Sequence, residues 1–136
     1  MNFADLPLAT SPLTAMPLSD SGQALLTAVC AIAQGPLKAQ AEAIDRGLYP
    51  SQLLRSLAAA GGMSAHLEAP FGEADYGLAI SAMAEVSRVC GATGFMVWCH
   101  DACGLYMEES GNPALTGQAL LDHASAHTLC APLKAV

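Results

Sequence analysis

The run from Glu85 to His100 most constrains what this chain can become. A helix carrying Ile80, Met83, Ala84 and Val86 on its inward face ends near Gly91, and a second, almost uncharged helix starts directly beside it. Two helices joined by so short a turn must lie side by side and antiparallel, so the rest of the chain has to pack around a helical hairpin. The remaining punctuation agrees. Ser19 and Ser21 are candidate N-caps for a first helix reaching about Asp45, with Leu25, Leu26, Val29, Ile32 and Ala33 at helical spacing. Gly35-Pro36 should kink or divide it, because proline removes a donor and crowds the preceding turn. Pro50 opens a shorter helix over 51–60, buried through Leu53, Leu54 and Leu57, and Gly61-Gly62 supplies left-handed C-cap conformations. A loop over 63–75 leads to a helix from about Tyr76 to Cys90, with Asp75 as N-cap, followed by one over about 92–110. Gly111-Asn112 closes that helix, and Pro113 begins a last one ending near Ala124. The expected fold is all-α, an up-and-down bundle of about five helices over 19–124. Residues 1–18 are expected to form a Pro-rich flexible leader. Residues 125–136 form a tail in which 127–131 would open a strand.

Hydrophobic residues make up 53% of the 136 positions and charged residues only 12%. That is about half the usual charged share, so part of the helical surface should be covered by another domain or a second copy. The net charge is −7, and the five basic side chains, Lys38, Arg46, Arg55, Arg88 and Lys134, are scattered. This excludes a nucleic-acid partner, which needs a basic face to neutralise phosphates. The uncharged window from Ser21 to Leu37 is interrupted by Gly35-Pro36 and falls short of the ~20 apolar residues of a membrane span. No basic region precedes the apolar N-terminal residues, so no signal peptide is expected. Five cysteines (30, 90, 99, 103 and 130) without a CxxC pair read as reduced thiols, and the expected compartment is the cytoplasm.

Several arrangements of reactive residues fall short of a site. Cys99 and Cys103 share a helix face, but His100 points away from it and a structural zinc needs four ligands. His123 and His127 have ligand spacing, yet Ala124 stands where a zinc protease needs glutamate, so they are expected at the surface near a frayed helix end. Gly91 to Gly94 follows a helix rather than a strand and makes no phosphate cradle. Glu108-Glu109 and Glu73/Asp75 read as solvated faces, and Ser51 and Ser64 have no paired base.

The order of punctuation carries a resemblance. A long helix contains Pro36 and closes on Asp45; Pro50 to Leu57 follows as Pro-x-x-Leu-x-x-Leu. Next come Gly61-Gly62, the Pro70-Phe71-Gly72 loop, two helices meeting near Gly91 to Gly94, and Gly111-Asn112-Pro113 before an amphipathic helix. Over roughly residues 20–131 this resembles the N-terminal helical domain of the acyl-CoA dehydrogenase family of flavoproteins. The resemblance implies an FAD-dependent oxidation at the α,β-carbons of an acyl-CoA thioester, in which a carboxylate takes the α-proton and the flavin the β-hydride. In that family a middle β-domain and a C-terminal helical domain hold the flavin and usually the base. Here residues 129–136 read Leu-Cys-Ala-Pro-Leu-Lys-Ala-Val. The chain alone is therefore expected to bind no FAD and to be catalytically silent, completed by those domains or by a partner chain, and prone to self-association. The resemblance assigns it one functional surface, a wall of the acyl pocket formed by Met96, Val97, His100 and Gly104 on one helix face. On that reading His100 marks a polar substrate or the monooxygenase branch of the family; the competing reading of all four residues is ordinary packing within the helical core. The alternative from a different class is a small helical interaction module without redox activity.

Overall fold

The computed structural model describes residues 18–129, and among these the secondary structure is helical throughout, with no strand. The leader up to residue 17, and Cys130 and Lys134 of the tail, lie outside the described residues.

Helix α1, Asp20–Ile32, starts where Ser19 Oγ accepts the Gly22 N–H at 3.1 Å. It runs through a π-helical turn, Ala33–Leu37, into α2, Lys38–Asp45. Pro36 sits inside that turn and explains it, since proline donates no hydrogen bond and its ring cannot fit an ordinary α-ladder. The helix is thus widened and continues instead of breaking. Helix α3, Ser51–Ala59, is followed by Gly61 at φ +86°. Gly62 is needed for a different reason: a Cβ there would lie 3.0 Å from Val29 Cγ2 and 3.2 Å from the Leu57 carbonyl. The Gly-Gly pair therefore divides a left-handed turn and a close approach between its two members.

Helix α4, Tyr76–Val89, is capped by Asp75 Oδ1, which accepts the Leu78 N–H at 2.8 Å. It packs against both α1 and α5, Gly91–Glu109, making it the central element. Its buried face is Leu78, Ala79, Ala82 and Val86. Ile80, expected inside, is 64% exposed, because small alanines face the neighbouring helices and bring their backbones close. The last expected helix is two: α6, Pro113–Thr116, and α7, Gln118–Ala124, divided at Gly117. Asn112 Oδ1 caps α6 by accepting the Ala114 N–H at 3.0 Å.

Val29, Ala33, Leu37, Leu54, Leu57, Met63, Val86 and Val97 form the main core. Removing each larger member from water is worth roughly 1.5–3 kcal/mol. Leu67, Leu120 and Ala124 make a smaller cluster under α7, with Phe71 and Met107 against it. No helix among the described residues is long and apolar enough to cross a membrane.

Candidate functional site

Helix α5 begins abruptly. Cys90 is extended (φ −147°, ψ 109°) and offers no side-chain cap; instead the buried Thr93 hydroxyl donates to Cys90 Sγ at 3.3 Å. Thr93 and Gly94 therefore belong to the first turn of α5, where Gly94 lets the helix lie against Ser87 of α4.

The four residues expected to line a pocket do share one side of α5, but that side is largely covered by the chain itself. Met96 is half-buried against the core, and Val97 belongs to the core at 1% exposure. His100 is 2% exposed because α7 lies over it. Its ring stacks on His123 with centroids 3.6 Å apart and planes 9° from parallel. Each ring donates through Nε2 to the other residue's backbone carbonyl, His100 to His123 O at 2.7 Å and His123 to His100 O at 2.8 Å. Since a carbonyl only accepts, both imidazoles carry their proton on Nε2. Gly104 is buried under the same layer: a Cβ there would come 3.3 Å from His123 Cδ2 and 3.4 Å from His66 Nε2.

Two further buried residues complete a polar layer, His66 from the loop between α3 and α4 and Asp101 from α5. His66 Nδ1 is 3.9 Å from Asp101 Oδ1. Neither His66 nitrogen, nor His100 Nδ1, nor either Asp101 carboxyl oxygen has a hydrogen-bond partner among the described residues. Burial sets the protonation of this group, because the charged form of each side chain is the one disfavoured in a medium of low polarity. It pushes His100 down to about 4, helped by the charge His123 would carry. It lowers His66 and His123 as well, and it raises the Asp101 carboxyl to about 7. Burial thus biases every member of the layer toward its neutral form.

His123 corrects the sequence expectation: it is 4% exposed instead of lying at the surface with His127. Leu120 and Ala124, both buried, flank it on the inward stripe of α7 at helical spacing, and that pattern was the available signal. His127 is exposed and bonded to Ser125 Oγ. His66 had no sequence signal, since it lies in a loop without periodicity. Cys99 and Cys103 are half-buried, and no group of three His, Cys, Asp or Glu among the described residues is placed to hold a metal ion. Glu108 is no free surface carboxylate either: it accepts the Glu68 N–H at 2.8 Å and ties down the loop bearing His66.

Two cavities adjoin this framework. One of about 1110 Å³ lies between the starts of α1 and α4, lined among others by Ser19, Leu25, Phe71, Glu73 and Asp75. The other, of about 190 Å³, is a groove between α4 and α5. No lysine or arginine lines either cavity, and Arg46 and Arg88 are paired with Glu42 and Glu85. The larger cavity presents the carboxylates of Glu73 and Asp75 and no cation, so its lining does not fit the pyrophosphate of FAD.

A family model for the acyl-CoA dehydrogenase N-terminal domain matches residues 19–127. No curated protein and no solved structure matches the chain.

Proposed function

The chain belongs to the acyl-CoA dehydrogenase family, of which it carries the N-terminal domain, and on that premise we propose that it forms one helical wall of the acyl pocket in an FAD-dependent oxidoreductase acting on acyl-CoA thioesters. The family match over residues 19–127 carries this reading. Helix α5 is the wall. Met96, only half-buried, is the member of the expected set that an acyl chain would meet directly. Val97, His100 and Gly104 would back it from within, the stacked imidazoles keeping α5 in place. Flavin and base would come from the family's β-domain and C-terminal domain, on the same polypeptide or on a second one.

The test is a substitution that narrows the wall in the flavin-loaded enzyme assembled with those domains. Met96→Trp should lower kcat/KM for long acyl-CoA thioesters by about tenfold or more, and leave short ones within about twofold, since pocket length discriminates by steric fit. A loss independent of chain length, or no loss, would remove Met96 from the pocket.

The interaction-module reading draws on the exposed aromatic residues of α5. Phe95 is 63%, Trp98 53% and Tyr106 76% exposed, and the Phe95 and Trp98 rings stack at 5.7 Å. Co-purification separates the two readings. Assembly into a yellow complex supports the enzyme, and a colourless complex with another protein supports the module.

A further inference from the structure

We propose that the chain forms a two-fold symmetric dimer through the outward stripe of α5, with Phe95 of each copy seated in the groove between α4 and α5 of the other. This stripe lies on a different side of α5 from Met96, so the dimer and the acyl wall stand or fall separately.

Exposed apolar side chains gather on one face. Phe95, Trp98, Ala102, Leu105 and Tyr106 fall within about 100° of the circumference of α5. Tyr76, Ile80 and Met83 recur at helical spacing along α4, and the groove of about 190 Å³ that both helices border joins the two stripes into one patch. Tyr76, Ile80, Phe95, Trp98 and Tyr106 are each more than half exposed. An aromatic side chain has about 150–250 Å² to bury, so the four rings alone present roughly 500 Å². A stable interface takes about 800 Å² from each partner, and Ile80, Met83 and Leu105 carry the patch toward that size.

Charge and shape together select a second copy as the occupant. Across residues 76–83 and 95–106 the sole carboxylate, lysine or arginine is Asp101, which is buried. A charged partner or an anionic membrane surface finds nothing to pair with there. The chain carries its net charge of −7 elsewhere, so this is the face on which two copies meet with least repulsion. The same face holds both a projection and a hollow. Phe95 stacks on Trp98 with ring centroids 5.7 Å apart, so the projection is ordered before anything binds. The groove owes its room to Ala79 and Ala102 among its lining. An apolar cavity of about 150 Å³ holds a benzene ring, so one of about 190 Å³ takes a phenylalanine ring. A two-fold contact requires that residue i meet j while j meets i. Antiparallel packing of α5 on α5, about an axis near Trp98 and Cys99, meets that condition. Phe95 and Ala102 lie about one helical turn on either side of the midpoint, so Phe95 of each copy faces Ala102 of the other. One projection and one hollow on a single face close the assembly at two copies.

Analytical ultracentrifugation of the 136-residue chain tests this. At concentrations up to about 100 µM it should follow a monomer–dimer equilibrium with nothing larger. Trp98→Glu should weaken the dimer at least about hundredfold, because each copy then buries an unpaired carboxylate at the axis. Circular dichroism should be unchanged, since Trp98 is half-exposed in the single chain. The register is tested by a pair of variants. Phe95→Lys and Ala102→Glu should each be monomeric alone and should form a heterodimer when mixed. There a lysine faces a glutamate at one end of the contact, while the native pairing of Phe95 with Ala102 remains at the other. A chain still monomeric at about 100 µM would leave the patch to another protein or domain and overturn the proposal. Open-ended aggregates, a dimer that survives Trp98→Glu, or a mixture of folded variants that stays monomeric would do the same. Should Ala102→Glu fail to fold, Trp98→Glu decides alone.

Discussion

Replacing Gly94 with alanine asks whether α4 and α5 approach as closely as the geometry requires. Within the helix alone the change is favourable, because alanine is better than glycine in a helix interior by about 1 kcal/mol. Tertiary packing reverses the sign. A Cβ on Gly94 would stand 2.1 Å from Ser87 Oγ and 2.9 Å from both Ser87 Cβ and Ser87 Cα. The hydroxyl can turn away if it gives up its 2.8 Å hydrogen bond to the Met83 carbonyl. The clash with the main chain of Ser87 has no such escape, since no rotamer moves a backbone atom, and the two helices must separate. Overpacking of this kind costs about 1–3 kcal/mol, and the collision with main chain puts Gly94 at the upper end. Subtracting the helical gain leaves a net loss of about 2 kcal/mol. Urea unfolding followed by circular dichroism measures it, with Gly35→Ala as control. Nothing lies within 4 Å of a Cβ at Gly35, so that change should be neutral or stabilise by up to about 1 kcal/mol. Adding Ser87→Gly to Gly94→Ala should recover part of the loss, because it removes two of the three clashing atoms. A Gly94→Ala protein as stable as the parent, or more so, would refute the close approach.

Acidification should destabilise the chain across roughly pH 6.5 to 4. Burial keeps His66, His100 and His123 neutral in the folded state where the unfolded chain protonates its histidines, so the unfolded state binds more protons there. Asp101 acts in the opposite sense: raised to about 7, it holds its proton in the fold and withdraws stability as the pH rises from about 4. Over this interval the proton that His100 gives up in the fold and the one that Asp101 retains nearly cancel, so the net slope takes its positive sign from His66 and His123, both lowered. A urea midpoint that increases between pH 7 and pH 5 would contradict this. His123→Ala should cost about 3 kcal/mol in a thermal melt, as the ring stack and the bond to the His100 carbonyl go together and a cavity remains. His123→Phe keeps the ring and should cost about half as much, and equal losses for the two would deny stacking any role. Asp75→Ala should remove about 1 kcal/mol and speed hydrogen exchange at the Leu78 amide, the donor it caps, while exchange within α1 stays unchanged.

Helix identity and most boundaries were legible in the chain because the interactions that set them are local. Ser19, Asp75 and Asn112-Pro113 each satisfy or excuse amide donors within one turn of themselves, so their chemistry needs no distant partner. The same locality explains the partial miss at Pro36. A proline announces that the α-ladder is disturbed, whereas the choice between a break and a π-helical turn depends on Val29, Ala33 and Leu37 being held together in the core.

Orientation was the part that only the tertiary structure decided. Helix α5 carries apolar residues around most of its circumference, so periodicity does not say which stripe meets α7, which meets α4 and which stays open with Phe95 and Trp98. On α4 the helical pattern admits Ile80 as readily as Ala79, and close helix packing chose the smaller side chain. The polar layer depends still more on the fold. His66, His100 with Asp101, and His123 come from a loop and two helices, and the turn at Gly117 sets where α7 can lay its ring on α5. Sequence alone thus determined the helices, their order and their lineage, because caps, breakers and spacing act over a few residues. Which faces meet, and hence which histidines lose their charge and which carboxyl is left without a partner, follows from burial, which no local segment possesses until the others have packed around it.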